Sequence, residues 1–147
     1  EPNIKNGRPV YKKNAARFKK EKNVFELILM HEDGTITEGS QSNLYIISDN
    51  QVITAPFELV LPGITRKYVF EICRKNKIDI FEMKFDQSIL NKADAVFISG
   101  TSPKILPVSS IDSVYFDADH KIVRQIMLSY DKLIMEYIQN KLKSQTL

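Results

Sequence analysis

Along much of this chain apolar residues come in short alternating or continuous runs, while helical spacing appears near the two ends and once in between. Tyr11 to Lys22 carries Ala15, Ala16 and Phe18 as a narrow apolar stripe on a charged segment, which predicts a short surface helix. Phe25–His31 reads as a strand closed by Asp33-Gly34, a pair suited to a hairpin turn. Thr35–Thr37, Asn43–Ser48 and Gln51–Ala55 continue the strand pattern, separated by Glu38-Gly39 and Asp49-Asn50. These connections are too short for parallel crossovers, so an antiparallel meander is expected.

A proline-punctuated loop, Pro56 to Pro62, leads to Gly63, which opens an expected helix to about Asn76 with Val69, Phe70, Ile72 and Cys73 buried. Ile78–Phe85 predicts a strand, Asp86–Asn91 a short helix and Ala93–Ser99 a strongly apolar strand. Gly100–Pro107 reads as a loop, and Val108–Ile111 and Val114–Phe116 as further strands. Lys121 to Lys143 sets Ile122, Ile126, Tyr130, Leu133 and Tyr137 on one face of a long closing helix. The whole predicts an α+β fold with a mixed, barrel-like sheet and flanking helices. No repeat or flexible linker interrupts it, so residues 1–147 read as a single domain.

Composition narrows the function classes. The 147 residues are 43% apolar and 27% charged, the balance of a packed globular chain. No apolar run reaches the roughly 18–20 residues of a membrane-spanning helix, and the first residues hold no apolar signal core, so no membrane partner is expected. The lone Cys73 excludes an internal disulfide and fits a reducing, cytoplasmic setting. His31 and His120, far apart, make no zinc cluster with it. Part of the +3 net charge gathers in Lys12, Lys13, Arg17, Lys19, Lys20 and Lys22. Without a recognition motif or an array of stacking aromatics, this run reads as the solvated face of a helix and no nucleic-acid partner is expected.

Three stretches are suited to an anion. In Leu61–Arg66, LPGITR, glycine precedes a helix, so the amides of Ile64 and Thr65 are first-turn donors that an anion can take together with the positive end of the helix dipole. In Ser99–Lys104, SGTSPK, a small-residue loop follows a buried strand, and Thr101 offers a hydroxyl and an amide. In Thr37–Ile47, Glu38 stands between two strands before glycine and small polar residues. Each alone also fits an ordinary turn or strand edge.

Their order is more specific than any one of them. Glu-Gly-x-x-Ser-Asn-Leu (from Glu38) is followed by Leu-Pro-Gly-Ile-Thr-Arg, then Ala-Asp-x-Val-Phe-x-Ser-Gly-Thr (from Ala93), then Pro107-Val108 and Ile111-Asp112. From about Ile4 to Asp112 the chain resembles the fold-type IV pyridoxal-phosphate enzymes, the class IV aminotransferases. Branched-chain and D-amino-acid aminotransferases and aminodeoxychorismate lyase belong to that group.

The resemblance implies pyridoxal 5′-phosphate as cofactor, an amino acid and a 2-oxo acid as substrates, and a homodimer in the full-length form. The family lysine that carries the cofactor lies a little over thirty residues before the family acid. Lys5, 33 residues before Glu38, matches it, whereas Lys12 and Lys13 are too close. A lysine amine is ordinarily protonated at neutral pH, so the site must favour its neutral form by desolvation or nearby positive charge. Glu38 is then the acid facing the pyridine nitrogen. Ile64, Thr65 and Thr101 hold the phosphate, and the Thr101–Ser102 turn holds the substrate carboxylate.

Three departures accompany the match. The family's frequent tyrosine, five residues after the lysine, is Val10 here with Tyr11 beside it, so either the local path shifts by one residue or that contact is lost. Pro103 and Lys104 replace a small residue and a glutamate common in branched-chain relatives. The family's smaller domain before the lysine is not in this chain, which is expected to be the larger, cofactor-binding domain of a longer polypeptide. The leading expectation is a branched-chain-like aminotransferase. The alternatives are a lyase of the aminodeoxychorismate type and an inactive fragment that keeps the fold and a phosphate site.

Overall fold

The computed structural model describes residues 9–145. It opens with α1 (Pro9–Lys22), then β1 (Ile28–Met30), β2 (Ile36–Gly39), β3 (Asn43–Ser48) and β4 (Gln51–Thr54). A 3-10 turn at Phe57–Leu59 leads to α2 (Ile64–Lys75) and β5 (Ile80–Glu82). After these come α3 (Gln87–Leu90), β6 (Ala95–Gly100), β7 (Lys104–Val108), β8 (Ser110–Ile111), β9 (Val114–Tyr115) and α4 (Lys121–Gln145).

β3 is the centre of the sheet, which is why its run of apolar residues is nearly continuous: both of its faces are covered. It pairs antiparallel with β6 from Asn43–Ser99 to Ile47–Ala95, and with β4 on the other edge. The β3–β4 turn is Asp49-Asn50, with φ of 51° and 60°. Two consecutive left-handed residues match the twist of a two-residue hairpin, and Asp and Asn tolerate them well. β4 pairs parallel with β5, and α2 supplies the crossover that a parallel pair requires. The sheet is therefore mixed, as expected. Among the described residues it does not close into a barrel; the isolated Ile36–Phe85 bridge ties β2 to the segment after β5.

Alternation along β3 and β6 divides the core into two layers. Tyr45, Ile47, Ala95 and Phe97 meet Val69, Ile72 and Cys73 of α2 and Ile122, Val123 and Ile126 of α4. Within that layer the Tyr45 and Phe97 rings stack at 4.5 Å between centroids and 3° between planes. Leu44, Ile46, Val96 and Ile98 face the other way, against Phe85, Leu90 and Phe116. α3 is short but well capped: Asp86 Oδ1 accepts from the Ser88 and Ile89 amides at 2.9 and 3.1 Å.

Four sequence expectations need correction. Lys104–Val108 is a strand, not part of a loop. Pro107 is tolerated there because β7 lies at the sheet edge, paired only with β6 among the described residues. Phe70 is half-buried on the outer side of α2. Tyr137 continues the apolar spacing of α4 but is 62% exposed. The helix runs on for 25 residues, and its buried side chains fall in the first two turns. Lys19, placed with the solvated charges of α1, is turned inward. No helix among the described residues is long and apolar enough to cross a membrane.

Candidate active site

The β2–β3 hairpin presents its two closing residues, Glu38 and Asn43, as a register pair. The turn between them is tight: the Gly39 amide donates to the Ser42 carbonyl at 2.8 Å. A Cβ on Gly39 would lie 2.2 Å from Ser42 Oγ and 3.1 Å from Glu26 Cγ, so a larger residue there would have to displace the Ser42 hydroxyl from its place beside Glu26. Glu38 Oε2 accepts from the Leu61 amide at 2.9 Å and from Asn43 Nδ2 at 3.4 Å. Asn43 Nδ2 also donates to the Leu61 carbonyl at 3.0 Å. The acid is thereby fastened to the loop that enters α2. At Gly63 a Cβ would come within 2.5 Å of Asn43 Oδ1, so the hairpin packs directly on the helix start.

Burial raises the Glu38 carboxyl above the ordinary carboxylate range, against the Leu61 amide and the positive charge of Arg66, which lower it. A raised value means that the fold favours the protonated acid. That contribution is fully present below the ordinary carboxylate range and is lost as pH rises through the raised value. Glu38→Gln is therefore expected to be more stable than the wild type at neutral pH, with the difference closing on acidification. Urea unfolding at several pH values measures it; a difference independent of pH would contradict the assignment.

Gly63 gives α2 no side-chain cap, which leaves the amides of Ile64 and Thr65 as donors for an anion. The Ile64 side chain is 76% exposed, so its backbone is what it can offer; Thr65 is buried. The β6–β7 hairpin supplies the opposite wall. Gly100 pairs with Lys104 across the three-residue loop Thr101–Pro103, and Lys104 adopts the left-handed φ of 57° that such a loop calls for. Beneath it, buried Ser99 shares a hydrogen bond with the Tyr45 hydroxyl at 3.0 Å. Burial pushes the Tyr45 phenol up to about 12, so it stays neutral.

These parts surround one cleft of about 760 Å³, lined among others by Glu38, Asn43, Ile64, Thr65, Thr101 and Ser102. Of the residues singled out in the sequence, Glu38, Ile64, Thr65, Thr101 and Ser102 thus come together. Lys5 lies outside the described residues. A second hollow of about 830 Å³ runs along the outer side of α2, lined by Phe57, Phe70, Ile80 and Arg74. It shares the Pro62–Ile64 bend with the cleft but contains neither Glu38 nor the Thr101 turn.

The sequence reading missed three residues that build the site. Asn43 stood inside a quoted motif without a role. Arg66 is buried, donating to Thr54 Oγ1 at 2.8 Å and the Ala55 carbonyl at 2.9 Å and pairing with Glu82. It locks α2 to the end of β4. Arg66→Met removes the donors from two buried acceptors and is expected to cost about 2–3 kcal/mol. A lower urea midpoint with an unchanged slope would show this. Glu26, the third, accepts from Ser40 and Ser42 in the turn between Glu38 and Asn43.

The chain belongs to the class IV amino-transferase family, whose model matches residues 1–111. Among its relatives is D-alanine aminotransferase of Bacillus licheniformis, 41% identical over 93 residues, covering 63% of this chain and 32% of the relative. Among solved structures, the branched-chain amino acid aminotransferase from Escherichia coli superposes with a TM-score of 0.79 at 28% identity, covering 84% of this chain and 43% of that one. The branched-chain aminotransferase of the thermophilic archaeon Thermoproteus uzoniensis, solved with norvaline, gives a TM-score of 0.81 at 28% identity, covering 86% and 43%. The chain spans less than half the length of each of these relatives.

Class IV aminotransferases use pyridoxal 5′-phosphate, and the cleft fits it. The half-buried acid is held by the loop that enters α2. Uncapped helix amides and a hydroxyl-bearing turn share the same space.

Proposed function

We propose that this chain is the cofactor-binding domain of a pyridoxal-phosphate-dependent aminotransferase, which moves an amino group between a branched-chain or similar amino acid and a 2-oxo acid. The observation that carries this reading is the convergence of Glu38, Ile64, Thr65, Thr101 and Ser102 on one cleft. The Ile64 and Thr65 amides and Thr101 would hold the phosphate; the Thr101–Ser102 turn would orient the substrate carboxylate. Glu38 would keep a proton on the pyridine nitrogen. Lys5 would anchor the cofactor and then carry the proton at the substrate α carbon as general base and acid. The bound cofactor would supply the electron sink for charge developing at that carbon. The working form is read as a cytoplasmic homodimer in which residues 1–147 form one domain.

Glu38→Gln is expected to lower turnover about a hundredfold, because the charge that holds the ring proton is lost, with little change in cofactor affinity. For the whole reaction, the polypeptide in which this chain occurs is given pyridoxal phosphate, then D-alanine or a branched-chain L-amino acid as donor, then a 2-oxo acid. Appearance of the amino acid derived from the added 2-oxo acid is the predicted result. Turnover indifferent to that acceptor would support the lyase reading instead. No turnover with any donor would leave an inert fragment.

A further inference from the structure

The two oxygens of the Glu38 carboxyl are not equivalent. Leu61, in the loop that enters α2, donates its amide to Glu38 Oε2 at 2.9 Å. Asn43 Nδ2 approaches that same oxygen at 3.4 Å and donates to the Leu61 carbonyl at 3.0 Å. Having two acceptors on one side fixes the orientation of the Asn43 amide, with its nitrogen toward the acid and its oxygen toward Gly63. Both donors that reach the acid therefore converge on Oε2. Oε1 takes no hydrogen bond from any described residue. Among those residues no buried side-chain oxygen or nitrogen lacks a partner, so Oε1 is not buried: it opens on the cleft that Glu38 lines.

We propose that Asn43 is the positioning residue of the acid: it holds Leu61 and Oε2 together at the cleft wall, so that Oε1 is the oxygen left to meet a ring N–H. Asn43 also sets the charge of the acid. Burial pushes a carboxyl toward its protonated form, which has no charge to offer a ring proton. Donors placed on one oxygen favour the ionised form and leave the other oxygen unoccupied. Leu61 supplies such a donor only while its loop stays in place, and Asn43 grips that loop by the carbonyl. Among the described residues, Arg66 of α2 is the charged group that helps, its positive field lowering the Glu38 carboxyl against burial. Asn43 is assigned no contact with the cofactor; it acts through Glu38. The meeting of Oε1 with a ring N–H rests on the function proposed above; the hold of Asn43 on the charge of Glu38 does not.

The first test needs no cofactor. The Glu38 carboxyl is titrated through its carbon NMR signal, assigned by its absence from Glu38→Gln. In the wild type, the Leu61 amide and the Asn43 side-chain amide should follow that titration with the same midpoint, because both point at Oε2. Asn43→Leu, of similar size but without the donor, and Asn43→Ala, without added bulk, should both shift the midpoint to higher pH. A variant that is merely less stable, with the midpoint unmoved, overturns the proposal. So does a wild-type Asn43 amide that ignores the titration, a result that stands even where neither variant folds. The second test loads the protein with pyridoxamine phosphate carrying heavy nitrogen in its ring. The wild type should keep that nitrogen protonated at neutral pH, and Asn43→Leu should lose part of the protonation at unchanged affinity. Its kcat for amino transfer should fall about tenfold, less than for loss of the acid itself. An unprotonated ring in the wild type, or no binding, would remove the ring contact together with the function proposed above. The titration would then still decide whether Asn43 sets the charge of the acid.

Discussion

Lys5→Ala is expected to lower amino transfer by about 10⁴-fold, near the upper end of what a positioned acid–base group contributes. The reason is that one amine is assigned two tasks. As proposed, it would anchor the cofactor before substrate arrives and would carry the proton at the α carbon afterwards. Water can replace the second role only slowly, because a free base has none of the fixed geometry of a side chain. The substitution leaves the proposed phosphate cradle of Ile64, Thr65 and Thr101 in place, so cofactor should still bind, unlinked. The measurement is a single-turnover assay of the variant loaded with pyridoxamine phosphate. An added small amine should restore part of the proton transfer. A variant that turns over within tenfold of the wild type would remove Lys5 from the mechanism.

Phe97→Ala should be the most damaging core substitution, at about 3–5 kcal/mol. Phe97 is fully buried on β6, pairs across to Tyr45 on β3 and stacks on its ring. Truncation removes that stacking and leaves a cavity between the sheet and the layer of α2 and α4. A whole domain is commonly stable by only about 5–15 kcal/mol, so such a loss could unfold a large share of the molecules on warming. The site should suffer too, because Tyr45 carries the hydroxyl that meets Ser99 just below the Thr101 turn. A urea midpoint close to that of the wild type would show that the layer can collapse around the gap.

Some elements were legible because their local chemistry and their tertiary place agree. Asp49-Asn50 is a good left-handed turn pair in isolation and is one in the fold. The apolar runs of β3 and β6 are continuous because both strands lie inside the sheet. Glu38, Thr65 and Thr101 could be named as candidates because the order of their motifs resembles the class IV aminotransferases, and they line one cleft, whereas each residue alone fits an ordinary turn or strand edge. β7 was not legible: Pro103 and Pro107 are strong loop signals, and only its place at the sheet edge makes Pro107 acceptable in a strand. Nor could the sequence reveal which lysine of a charged run turns inward. Lys19 is singled out by Glu26 and Gln41, which folding brings to it from β1's approach and the β2–β3 turn. Arg66 is similar, since a buried arginine is set by Thr54, Ala55 and Glu82 on other segments.

Function as proposed requires an amine from the start of the chain to share its cofactor with the acid and the two turns of the cleft. Adding pyridoxal phosphate, reducing with borohydride and mapping the modified peptide decides whether it does. The predicted result is a stable label on Lys5, abolished when Lys5 is replaced and competed away by pyridoxamine phosphate. A label on Lys19, the lysine that lines the cleft among the described residues, or no competable label at all, would contradict it.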